Sequence, residues 1–204
     1  MAPRYANSSD GTRIAFGVSG SGPVVMLLHG GGQTRRAWHD AGYVPRLAKE
    51  FTVITVDLRG NGESDKPAQA PAYAIDGLTD DLLAVADAAR AGTLDTQALA
   101  EPDRAVWQRG TVAVSLAWMS AMLDYPPVEP RDMTCPTLWL AGTANSGAME
   151  STKEYGPKLA GTQVTVALLD GLTHAQEFDN IDLAFPYEIA FTRSHACRAD
   201  FTPP

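Results

Sequence analysis

Residues 24–32 read VVMLLHGGG, and residues 53–64 read VITVDLRGNGES. The first stretch opens with an apolar, β-branched run that does not alternate, which predicts a strand covered on both faces. A glycine-rich turn, His29 to Gly32, follows directly. Glycines there let the backbone approach a ligand closely and point N–H groups at a developing oxyanion. The second stretch repeats the plan. A buried strand, FTVITVD over 51–57, runs into the loop RGNGESDKPAQAP. In that loop Asp57 and Arg59 are expected to pair across the turn, with Gly60 and Gly62 at its positive-φ corners.

Working outward, a helix is predicted over 38–49, between the two strands. On the N-terminal side, 4–7 and 12–18 read as a hairpin closed by the turn SSDG. On the C-terminal side, Ile75, Leu78, Leu82, Val85 and Ala89 recur at helical spacing. Strand, helix, strand, helix implies a parallel sheet. The pattern stops after Ala91, where 92–110 is polar and broken by Gly and Pro. Residues 112–123 are expected to be helical, with Val114, Trp118, Ala121 and Met122 on one face. Alternation over 111–116 leaves a strand open there. After an extended connector over 126–136, strands are expected at 137–141 (TLWLA) and 163–169, and helices at 151–159 and 181–191.

A chain of 204 residues is expected to form one domain with a substantial core. Hydrophobic residues at 45% and charged residues at 20% fit a soluble globular protein. A net charge of −8 argues against nucleic acid and anionic membrane as partners. Cys135 and Cys197 are too few and too far apart for a disulfide framework or a zinc pattern, so both are expected to be reduced in a cytoplasmic protein. The start, MAPRYANSSDGT, lacks the apolar core of a signal peptide. The apolar runs are too short to span a bilayer.

A third stretch, GLTHAQEF at 171–178, completes a pattern. Together the three resemble the α/β-hydrolase superfamily, in its single-domain, esterase-like branch. The resemblance covers 4–91 and 112–193. It implies an α/β fold: a mostly parallel sheet with helices on both faces and an N-terminal β-hairpin. VVMLL, VITVD, TLWLA and VTVAL would share that sheet. Gly31 and His174 would stand at the same end of it, beyond the carboxyl ends of the strands.

The resemblance also implies serine-type hydrolysis of small esters or related acyl compounds. Gly31, with Gly32 beside it, takes the place of an oxyanion donor, His29 a structural place, and His174 that of the general base. His39 and His195 have no such context and are expected at the surface. The family's acid follows the strand TLWLA, where this chain has Gly142-Thr143-Ala144-Asn145. Asn145 can hold an imidazole by a hydrogen bond but cannot stabilise an imidazolium with charge.

The family's nucleophile sits in a Gly-x-Ser-x-Gly elbow. This chain has no such motif. Ser115, in Ala113-Val114-Ser115-Leu116-Ala117, comes in the right chain order and is the candidate nucleophile. Ser146, between Ala144 and Ala148, follows a strand but occupies the acid loop. Ser64 lies in a loop with no following helix and is discounted. The gap is read as an internal deletion near 91 of at least about 30 residues, the size of a βαβ unit. Residues 92–130 are then a remnant of a cap or connector.

Two functions follow. One is a hydrolase, weak or inactive as this chain, acting on a small-molecule substrate. The alternative is a non-catalytic remnant, a ligand-binding pseudoenzyme or interaction subunit, with a homo-oligomer covering exposed strand edges. No cofactor is expected. There is no Gly-x-Gly-x-x-Gly after a strand and no metal-ligand spacing.

Overall fold

A computed structural model describes residues 3–91, 129, 131, 133 and 135–195. Ser115, Cys197 and the expected helix over 112–123 lie outside the described residues, as does nearly all of 92–130. The chain divides into two compact units. The described part of the first is 3–40 and 44–91; that of the second is 41–43 and the described residues from 129 to 195.

The first unit is built on a four-stranded sheet: β1 (Arg4–Asn7), β2 (Arg13–Ser19), β3 (Val24–Leu28) and β4 (Thr52–Val56), in the order β1-β2-β4-β3. β1 and β2 form the expected hairpin, closed where Ser8 N–H donates to the Thr12 carbonyl at 2.9 Å. β2 and β4 are antiparallel, β3 and β4 parallel. α3 (Ile75–Ala91) packs on β1 and β2. Alternate residues point toward it: Ala6, Ile14, Phe16, Ile54 and Val56 meet Val85 and Ala89 in one core.

Two expectations are corrected here. β4 is buried along its whole length, but β3 is not covered on both faces. Val24 is 44% and Leu28 39% exposed, and among the described residues β3 has only β4 beside it. The helix expected over 38–49 is two short ones, α1 (Arg36–Asp40) and α2 (Tyr43–Leu47). Gly42, at φ +83°, breaks the helical path between them.

The second unit holds a parallel pair, β5 (Thr137–Gly142) and β6 (Val164–Leu169), in register from Thr137 opposite Val164 to Gly142 opposite Leu169. α4 (Ser146–Tyr155) follows β5 and continues as a 3-10 turn to Leu159, so the helix starts earlier than 151. After β6 come α5 (His174–Asp179) and α6 (Ile181–His195). Leu140, Leu169, Leu172 and Ala184 form the core beneath α6.

The four apolar strands therefore do not share one hydrogen-bonded sheet among the described residues. β3 and β4 lie in one sheet and β5 and β6 in another, and β3 does not pair with β5. No described strand falls between α3 and β5 in the chain. No helix among the described residues is long and apolar enough to cross a membrane.

Candidate active site

In the first unit the turn after β3 is fastened from below. His29 is 5% exposed, and its Nε2 accepts the Leu58 N–H at 3.1 Å. Nδ1 must then carry the proton, which it donates to the Gly30 carbonyl at 2.8 Å. Both ring nitrogens are spent on backbone, so His29 is structural. Asp57 is the anchor of the same turn. Its carboxylate accepts the Arg35 N–H at 2.7 Å and the Glu63 N–H at 3.0 Å, and lies 3.3 Å from Arg35 Nε. Arg35 also pairs with Glu63.

The expected Asp57–Arg59 pair is not formed. Arg59 turns under α3 instead, where Asp81 receives it in two bonds of 2.7 and 2.6 Å and Asp10 at 2.8 Å. These carboxylates raise the Arg59 pKa further above its ordinary value, and desolvation only partly opposes them. Gly60 and Gly62 take the expected positive φ, +85° and +50°. At Gly62 the reason is also contact: a Cβ there would overlap the Asp57 carboxylate. Ser64 is buried, donating to the Asp57 carbonyl at 2.5 Å and accepting the Ala15 N–H at 2.8 Å. Above this frame Gly31 is exposed and Gly32 turns the chain at φ +72°. The Gly31 N–H, beyond the carboxyl end of β3, bonds to no other described residue.

In the second unit the loops after β5 and β6 are stapled together. Thr143 N–H donates to the Leu169 carbonyl at 2.9 Å, Ala144 N–H to Leu172 at 3.0 Å, and Gly171 N–H to Thr143 Oγ1 at 2.7 Å. Gly142 permits this approach, since a Cβ there would overlap the Leu172 carbonyl. The staple brings Asn145 and His174 side by side. Asn145 caps α4, its Oδ1 accepting the Ala148 N–H at 3.2 Å. His174 is not in a loop as expected. It is the first residue of α5, whose start is fixed where Gln176 Oε1 accepts the Thr173 N–H at 3.0 Å.

That start places Glu177 one turn after His174. Glu177 Oε2 meets His174 Nδ1 at 3.0 Å. Glu177 Oε1 accepts the Gly142 N–H at 2.5 Å and Asn145 Nδ2 at 2.9 Å. Burial alone would raise this carboxyl's pKa, but the Gly142 N–H, Asn145 and His174 outweigh it, and the value falls below the ordinary one. The His174 side chain is 89% exposed, so Nε2 is the nitrogen left to exchange a proton. Asn145 Nδ2 lies 3.4 Å from His174 Nδ1, beyond ordinary bonding distance. Ser146 is exposed as the first residue of α4 and makes no hydrogen bond to His174. His39 and His195 are exposed, as expected.

Sequence reasoning brought Asn145 and His174 together and passed over Glu177. The signal was present. Thr173-x-x-Gln176 is a helix-start pattern, and a helix from His174 sets residue 177 on the same face.

The family model described as the α/β hydrolase fold matches residues 23–96. An esterase from Exiguobacterium antarcticum superposes with a TM-score of 0.70 over 94% of this chain and 100% of that one, at 15% identity. The chain has the α/β-hydrolase fold. Curated sequence relatives match part of this chain. An uncharacterised Mycobacterium tuberculosis protein is 46% identical over 83 residues, 39% of this chain and 23% of the relative. A fluoroacetate dehalogenase from a Burkholderia species is 51% identical over 57 residues, 28% of this chain and 18% of that enzyme. The match thus spans less than a quarter of either relative's length.

Proposed function

We propose that this chain derives from a serine-type hydrolase of small esters or related acyl compounds and itself turns such compounds over weakly or not at all. One observation carries the reading: His174 stands beyond the carboxyl end of β6 with Nδ1 held and Nε2 open, in a sequence that has no Gly-x-Ser-x-Gly elbow. The resemblance gives Gly31, in the first unit, the place of an oxyanion donor. A base and one donor without a positioned nucleophile supply fragments of the triad mechanism. The dehalogenase, matched over 18% of its length, supports a hydrolytic ancestry, and so short a match does not choose the substrate. A soluble, cytoplasmic setting belongs to the same reading.

Labelling with a serine-reactive fluorophosphonate tests it. The expected result is no covalent adduct under conditions that label an active esterase fully. A stoichiometric adduct on Ser115 or Ser146 would replace this reading with that of a working enzyme.

A second reading is an interaction subunit in which a second copy of the chain pairs with β3, the end strand of its sheet among the described residues. Its test is the mass of the protein in solution: a dimer supports it and a monomer refutes it.

A further inference from the structure

We infer that Glu177, and not Asn145, is the acid partner that fixes the tautomer and orientation of His174. The inference rests on the reading of His174 as a base and adds the residue that prepares it.

Donor and acceptor roles decide which side chain holds the ring. Asn145 has its carbonyl oxygen engaged as the cap of α4, so only its Nδ2 can face the ring. Nδ2 is a donor. Facing His174 Nδ1, it would need that nitrogen unprotonated, which puts the proton on Nε2 and leaves the open nitrogen unable to accept one. Glu177 asks for the opposite. A carboxylate only accepts, so Oε2 at 3.0 Å calls for Nδ1–H and leaves Nε2 as the free base. Distance and charge decide between them. The Asn145 approach is 3.4 Å and neutral, while the Glu177 contact is shorter and charge-assisted. Asn145 Nδ2 bonds to Glu177 Oε1 at 2.9 Å instead, and the Gly142 N–H joins it there. The three groups around the ring thus form one chain, in which Asn145 and Gly142 aim the carboxylate and the carboxylate aims the imidazole. Glu177 is 16% exposed, so the carboxylate is well enough enclosed to be held in place. The charge that Asn145 cannot supply to an imidazolium comes from one turn along α5.

Glu177→Gln gives a sharp test. The single amide oxygen at 177 would stay with the Gly142 N–H and Asn145 Nδ2, which both need an acceptor. The amide NH2 would then face His174 Nδ1, which must accept, and the ring proton moves to Nε2. Long-range ¹⁵N–¹H NMR of the imidazole rings at about pH 8, above the ordinary histidine range, reads the tautomer directly without any turnover. The wild-type protein should show His174 mainly protonated on Nδ1. Glu177→Gln should show it mainly protonated on Nε2, and Asn145→Ala should keep the wild-type form. An Nε2–H tautomer in the wild type, or the same tautomer in wild type and Glu177→Gln, would overturn the assignment. The wild-type spectrum alone decides if a variant fails to fold. Absence of ester hydrolysis would leave this result untouched, so the two readings fail separately.

Discussion

At the scale of single residues, the firmest contacts are structural and lie where sequence spacing could not show them. Arg59 and Asp81 are 0% exposed and share two short bonds, though 22 positions apart. Asp81 lies on the same helix face as Leu78, Val85 and Ala89, where an apolar residue would be expected. Removing one partner of a buried pair leaves an uncompensated charge, which typically costs about 3–5 kcal/mol. Asp81→Ala should therefore destabilise the protein by about that amount in urea denaturation. A loss under 1 kcal/mol would mean that water or Asp10 replaces the missing carboxylate. The sequence placed Arg59 in a motif loop but paired it with Asp57, its nearest acid in the chain. The actual partner is chosen by the packing of α3 on the sheet, which adjacency along the chain does not reveal.

At the scale of elements, strands and the long helix were legible because burial imposes a period. Ile75–Ala91 carries its apolar residues at helical spacing, and β2 and β4 alternate into one core. Short elements were not, because local geometry sets them. Gly42 divides 36–47, and the Thr173–Gln176 bond starts α5 within what reads as a loop. That one missed start hid Glu177. Helix α6 carries a consequence of its own. Ile181, Ala184 and Glu188 follow i, i+3, i+7 spacing, so Glu188 falls on the packed stripe. Burial pushes its carboxyl from 4.5 up to about 7, and a hydrogen bond with Tyr43 only partly opposes this. The folded state then holds a proton that the unfolded state releases between about 4.5 and 7. Stability on this account is full below that window and falls as pH rises through it. Glu188→Gln should thus raise stability at pH 8 by about 1 kcal/mol, discounted for partial exposure, and change little at pH 4. Thermal unfolding at the two pH values checks this. An equal shift at both would point to packing and not to the proton.

At the scale of the whole molecule, the fold family was readable from three short stretches because each packs a strand end against a loop of fixed shape. HGGG, DLRGNGES and GLTHAQEF are held by His29, Asp57 and the staple at Gly142, so their residue types are tightly constrained. What joins these pieces was less legible. Ser115 and the segment around it lie outside the described residues, and β3 is the end strand of its sheet among those described. On the proposed function, His174 is a prepared base in a chain with no nucleophile on an elbow. A placed triad accelerates hydrolysis enormously, while an oxyanion hole and binding alone leave about 10³–10⁴-fold over water. The direct measurement is hydrolysis of a p-nitrophenyl ester by the wild-type chain, Ser115→Ala and His174→Ala. Turnover near background is expected in the wild type, with little change in Ser115→Ala. Robust wild-type hydrolysis, abolished by both Ser115→Ala and His174→Ala, would contradict it.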